Sequence, residues 1–156
     1  MVSRFSNYFS LLIVCWAHII VVSGKTPSII LLLDHKDVKM VASGVMDLKG
    51  CNVHKAQTAD DCLSLLNQFG EQVDAVLIKD IFAIDNKLRL VRDIRKISPD
   101  IIILVVADFA KEELSTEGNG IDQVVVYPLS PENLADKILL LVARKELKKM
   151  KEKMKT

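Results

Sequence analysis

Aromatic side chains make up only 5% of this 156-residue chain, although half of its residues are hydrophobic. Its core must therefore be built from Val, Ile and Leu. Cysteine is also scarce. Cys15, Cys51 and Cys62 share no CxxC or metal-ligand spacing, and an odd number argues against a disulfide scaffold. Neither sign of charge dominates: 21 basic side chains face 20 acidic ones for a net +1, which points to no particular partner for the chain as a whole. No internal repeat, low-complexity tract or second domain is visible, and the length suits one domain with a proper core. A glycine-rich phosphate loop is missing as well. Gly24-Lys25-Thr26 resembles the end of one, but Ile19 stands where the earlier glycine is needed, and a strand follows in place of a helix. No Ser/His/Asp or Cys/His arrangement has support from strand-end positions, so the chain does not read as an enzyme.

Residues 8–22 (YFSLLIVCWAHIIVV) form an apolar block behind a lone Arg4. That is short for a spanning helix, which needs about 20 residues, but suits the apolar region of a signal peptide. Three readings stay open for residues 1–24: signal-like leader, membrane tether or upstream extension. The folded domain is expected over 25–145, with a basic helix end over 146–156.

From residue 25 the pattern alternates. Ser28–Leu33 is an apolar strand ending at Asp34-His35-Lys36-Asp37. Helical spacing over 37–48 (Val38, Val41, Ala42, Val45, Leu48) is followed by Gly50 as a stop. Residues 52–56 alternate like an edge strand. Thr58 caps a helix carrying Cys62, Leu63, Leu65, Leu66 and Phe69 that ends at Gly70, with Asp60 and Asp61 complementing its dipole. Val73–Lys79 is a strand of buried character, and its end at Lys79-Asp80 is where an open α/β sheet places a ligand. Leu88, Val91, Ile94 and Ile97 mark the next helix, which Pro99 closes. Ile101–Ala107 is a strand, 111–117 a weakly helical segment, 118–120 a turn and Asp122–Tyr127 the fifth strand. Ser130-Pro131-Glu132 opens the last helix. Five strands alternating with five helical segments require right-handed parallel crossovers, hence a doubly wound α/β sandwich.

This order resembles the receiver domain of two-component response regulators over residues 28–145. The likeness rests on LLLD closing the first strand, the spacing from Asp34 to Lys79, and Tyr127-Pro128 after the fifth strand. It implies a flavodoxin-like sheet in order 2-1-3-4-5. It also implies a pocket in which two first-strand acids and a third-strand aspartate hold Mg²⁺. In the family that last aspartate accepts the phosphoryl group, with a hydroxyl on the fourth strand and a lysine on the fifth.

At those positions this chain carries Asp34 and His35, Lys79, Val106 and Tyr127. One carboxylate of the acid pair survives, an ammonium replaces the phosphoacceptor, and a valine replaces the hydroxyl. Lys79 would neutralise Asp34 and repel Mg²⁺, an interaction of about 4 kcal/mol at 4 Å and an effective dielectric of about 20, before desolvation. The expectation is a pseudo-receiver without cofactor. The alternative is a working phosphoreceiver with Asp80 as acceptor and Asp34 and Asp80 as Mg²⁺ ligands, and a second alternative is a small flavodoxin-like ligand-binding domain. His35 reads as a solvated loop histidine and His54 as a surface one.

In the tail, Arg144, Lys145, Lys148, Lys149, Lys151, Lys153 and Lys155 face only Glu146 and Glu152. No aromatic residue accompanies them, so nucleic-acid binding is not expected. Leu140, Ala143, Leu147, Met150 and Met154 step by three and four like a coiled-coil seam, although a frayed amphipathic helix end accounts for them too. The resulting expectation is a cytoplasmic signalling module. It would act through a protein partner or as a homodimer through its last strand and last helix, and membrane contact would come only through residues 8–22.

Overall fold

A computed structural model describes residues 26–47, 51–115, 118–128 and 130–155. The apolar block at 8–22, Leu48 and the stop assigned to Gly50 lie outside the described residues. Five parallel strands, β1 (Ser28–Leu32), β2 (Asn52–Lys55), β3 (Ala75–Lys79), β4 (Ile102–Ala107) and β5 (Gln123–Val126), form one sheet in the order β2-β1-β3-β4-β5. The expected flavodoxin-like order is present. The helices are α1 (His35–Asp47), α2 (Ala59–Phe69), α3 (Asp80–Ile97) and α4 (Pro131–Met154).

β1, β3 and β4 are buried along their whole length, and strand alternation divides their side chains between two cores. Ile29, Leu31, Ala75, Leu77, Leu104, Val106 and Val125 pack with Val41 of α1 and with Leu134, Ala135, Ile138 and Val142 of α4. Ile30, Leu32, Val76, Ile78, Ile103 and Val105 pack with Cys62 and Leu66 of α2 and with Val91 and Ile94 of α3. Thr58 caps α2 by accepting from the Asp61 amide, and Ser130 caps α4 by accepting from the Asn133 amide, with Pro131 in the first turn.

The expected alternation of five strands with five helices needs one correction. Among the described residues the crossover from β4 to β5 holds only a single 3₁₀ turn, Glu112–Leu114. Over 111–117, the segment expected to be helical, the sequence offers Leu114 alone as an apolar anchor on the core, too little to hold a helix on the sheet. A further difference concerns the start of a helix. α3 begins directly at Asp80, eight residues before the periodicity becomes legible, and it is interrupted at Asp85–Leu88 by a left-handed turn at Asn86, Lys87 and Leu88. α4 runs to Met154, through the basic segment that begins at residue 146.

Candidate functional site

The site lies at the carboxyl ends of β1, β3 and β4, where parallel packing leaves strand ends open above the core. Lys79 closes β3 and pairs in register with Val106 of β4. Because Lys79 shares its face with Ala75 and Leu77, its side chain runs toward α1 and α4 and is only 4% exposed. An ammonium so placed needs carboxylates, and it has two. Nζ donates to Asp108 Oδ1 at 2.8 Å and lies 2.9 Å from Asp37 Oδ2. The ammonium also sits 4.9 Å from the centre of the Tyr127 ring, and the Tyr127 hydroxyl donates to Asp37 Oδ1 at 2.5 Å.

The four side chains form one network. Asp37 is buried in the first turn of α1, accepting on one oxygen and ion-paired on the other, while Asp108 stands at the rim and is largely exposed. Burial by itself works against the charged Lys79. The hydrogen bonds and charges of Asp108 and Asp37 outweigh it and raise the lysine above its ordinary range. Burial, followed by the hydrogen bond to Asp37 and its charge, pushes the Tyr127 phenol upward as well. Lys79 is thus a fixed cation and Tyr127 a fixed neutral donor across the ordinary pH range.

The partner that sequence reasoning gave Lys79 is not the one it has. Asp34 is exposed, and its Oδ1 accepts from the Asp37 amide at 2.9 Å, capping α1. Three residues on, Asp37 points down at the sheet and takes Lys79. His35 is exposed in the same turn. Val106 is buried beneath the network and contributes only packing. Among the described residues no group of three His, Cys, Asp or Glu side chains is arranged to hold a metal ion.

Asp80 belongs to a second pair. It is 1% exposed, its Oδ2 lies 2.7 Å from Lys111 Nζ, and its Oδ1 accepts from the Ile81 amide at 2.8 Å. The Lys111 ammonium also stands 5.0 Å over the Phe109 ring. Lys79 pairs with Asp37 and Asp108 while Asp80 pairs with Lys111, so adjacent residues serve two separate charge networks. Asp37, Asp108 and Lys111 were not singled out as pocket residues from sequence. A usable signal existed for Asp108, which lies two residues past Val106 and so shares its side of the strand. None marked Lys111, since its contact depends on how the chain turns after β4.

No family model matches the chain, and no curated protein matches it. Solved structures do. A CheY-like response regulator receiver domain protein from Methanospirillum hungatei superimposes with a TM-score of 0.66 at 20% identity, covering 80% of this chain and 99% of that one. A response regulator from Thermotoga maritima gives a TM-score of 0.65 at 20% identity, covering 76% and 98%. A receiver domain protein from Clostridium thermocellum gives 0.65 at 16% identity, covering 78% and 98%. The chain therefore has the fold of the response-regulator receiver domains, CheY-like and flavodoxin-like, over most of its length.

Proposed function

We propose that this chain is a receiver-like signalling module of the two-component type that works without phosphorylation, by binding a protein partner. The observation that carries the reading is the Lys79 ammonium held between Asp37 and Asp108 at the end of β3. It stands where the resemblance puts a phosphoacceptor carboxylate. A hard divalent cation needs several oxygen ligands free to face it. Here Asp34 is occupied as a helix cap, Asp37 is shared between Lys79 and Tyr127, and the ammonium takes the central position. This donor set does not fit Mg²⁺. Nor does the site offer a nucleophile beside a general base, so no catalytic role is assigned.

Asp80 is a poor acceptor for two reasons: it is buried, and its outer oxygen is paired to Lys111. Intact-mass measurement before and after incubation with Mg²⁺ and a small-molecule phosphodonor tests the reading. The expected result is an unchanged mass. An added phosphoryl group would overturn the proposal, and its loss in Asp80→Asn would make Asp80 the acceptor. A small molecule copurifying in stoichiometric amount would instead favour a ligand-binding domain.

A further inference from the structure

At the amino ends of β4 and β5, the edge of the sheet opposite Lys79, an open groove of about 340 Å³ runs between the end of α3 and the second half of α4. Ile101 and Ile102 are buried at its floor, and half-buried Leu141 borders them. One wall is rigid. Arg95, in the last turn of α3, donates to the carbonyl oxygens of Pro99, Ile101 and Gly120 and to Asp122 Oδ2, which uses every N–H of its guanidinium. Asp122 Oδ2 also accepts from the Ile103 amide at 2.7 Å. Both charges are spent on fixing the loops that enter β4 and β5.

The opposite wall has charge to spare. Arg144 and Lys148 stand one turn apart on α4, both exposed, and among the described residues neither pairs with a carboxylate. Lys145 lies between them, but it is half-buried and already has a contact of its own. Like charges four positions apart repel along a helix. The helix dipole does not account for them either, because it acts within the last turn and α4 continues to Met154. Asp100, exposed on the rim, is the one acid lining the groove that is left to face them.

This wall and floor suit an anion that brings an apolar side chain with it. A membrane surface does not enter a recess, and among the described residues no aromatic side chain lines this one to stack a base. A lone phosphate would leave the isoleucine floor unused. Arg144 and Lys148 are about 6 Å apart along the helix axis, and alternate residues of an extended chain stand about 6.7 Å apart. We infer that the groove takes an extended acidic segment of a protein partner. Carboxylates at alternate positions meet Arg144 and Lys148, and the apolar residue between them covers Ile101, Ile102 and Leu141. The inference rests on the binding-module reading and deepens it by placing the partner's contact on the edge away from Lys79.

The test is titration of the isotope-labelled full chain with the peptide Glu-Leu-Glu-Leu-Glu, read from backbone amide shifts, with Lys-Leu-Lys-Leu-Lys as the control. The expected result is saturable binding of the acidic peptide alone. It should move the amides of Ile101, Ile102, Leu141, Arg144 and Lys148, leave those of Lys79 and Asp108 in place, and weaken with added salt. Arg144→Glu with Lys148→Glu should weaken binding by about tenfold or more at an unchanged circular dichroism spectrum. Lys149→Glu with Lys155→Glu, the same charge change outside the groove, should not. Shifts that do not saturate, shifts elsewhere, or equal loss in both variants overturn the inference. Inorganic phosphate moving the same amides as strongly would make this a small-anion site and overturn it too, as would capture by phosphatidylserine vesicles that depends on Arg144 and Lys148. The phosphodonor experiment reads out separately. An unchanged mass without peptide binding removes the groove alone, and a phosphoryl group gained by a chain that binds the peptide removes the phosphorylation-independent reading alone.

Discussion

Lys79 is unusual in this sheet because it is a buried charge in a strand otherwise made of Ala, Val, Leu and Ile. A buried ion pair adds little net stability over an apolar replacement of both partners, yet breaking it from one side is costly, at about 3–5 kcal/mol. Lys79→Met should therefore destabilise the fold by about that amount, because Asp37 is left buried with only the Tyr127 hydroxyl. Adding Asp37→Asn should recover part of the loss, so the two substitutions together cost less than their sum. Urea unfolding of the four species measures this coupling, and strict additivity would show that Lys79 and Asp37 do not depend on each other. Tyr127→Phe should cost about 1.5–3 kcal/mol, the worth of one hydrogen bond to a charged acceptor.

At the level of elements, two positions carry opposite demands on side-chain size. Gly44 of α1 lies against the start of α4, where an added Cβ would come within 2.8 Å of the Pro131 carbonyl oxygen. Backbone cannot step aside as a flexible side chain can. Gly44→Ala should thus destabilise the protein despite a gain of about 1 kcal/mol in helix propensity. The reverse holds in the left-handed turn that interrupts α3. Lys87 is exposed and has a φ of 55°, which costs a side-chain-bearing residue about 1 kcal/mol relative to glycine. Lys87→Gly should raise the thermal midpoint, and Gly44→Ala should lower it. Thermal unfolding of both variants decides the matter, and a stable Gly44→Ala protein would mean that α1 and α4 can move apart.

Across the whole molecule, several titrating groups shift the same way. Burial pushes the Cys62 thiol up from 9.0 to about 12, and burial with the charge of Asp74 pushes Cys51 from 9.0 to about 11. Lys79 and Tyr127 are also raised from their ordinary values of 10.5 and 10.0. In each case the unfolded chain gives up its proton before the folded one does. The stability these groups supply is complete below their unfolded values and is lost as pH rises through the folded ones. Stability should be level to about pH 9 and fall above it. Urea midpoints from about pH 7 to about pH 11 provide the check, and Tyr127→Phe should make the decline shallower. No helix among the described residues is long and apolar enough to cross a membrane.

The sheet was legible from sequence because its determinants are local. Runs such as Ile29–Leu32 and Ile102–Val106 can be buried only on both faces, helical spacings separate them, and crossover handedness leaves few ways to join parallel strands. Caps at Thr58 and Ser130 were readable because capping acts within three residues. The resemblance to receiver domains is what singled out Lys79, Val106 and Tyr127. It did not say which carboxylate meets Lys79. Asp34 and Asp37 lie three residues apart, and the choice between them depends on where α1 starts: the cap residue turns outward to its own helix, and the residue one turn on faces the sheet. The pairing of Asp80 with Lys111 spans 31 positions and depends on the path of the loop after β4. Local pattern and chain connectivity determined the scaffold. Only the tertiary structure decided the charge pairs, because a buried ion's partner is whichever opposite charge the packing brings within about 3 Å, and sequence distance does not measure that.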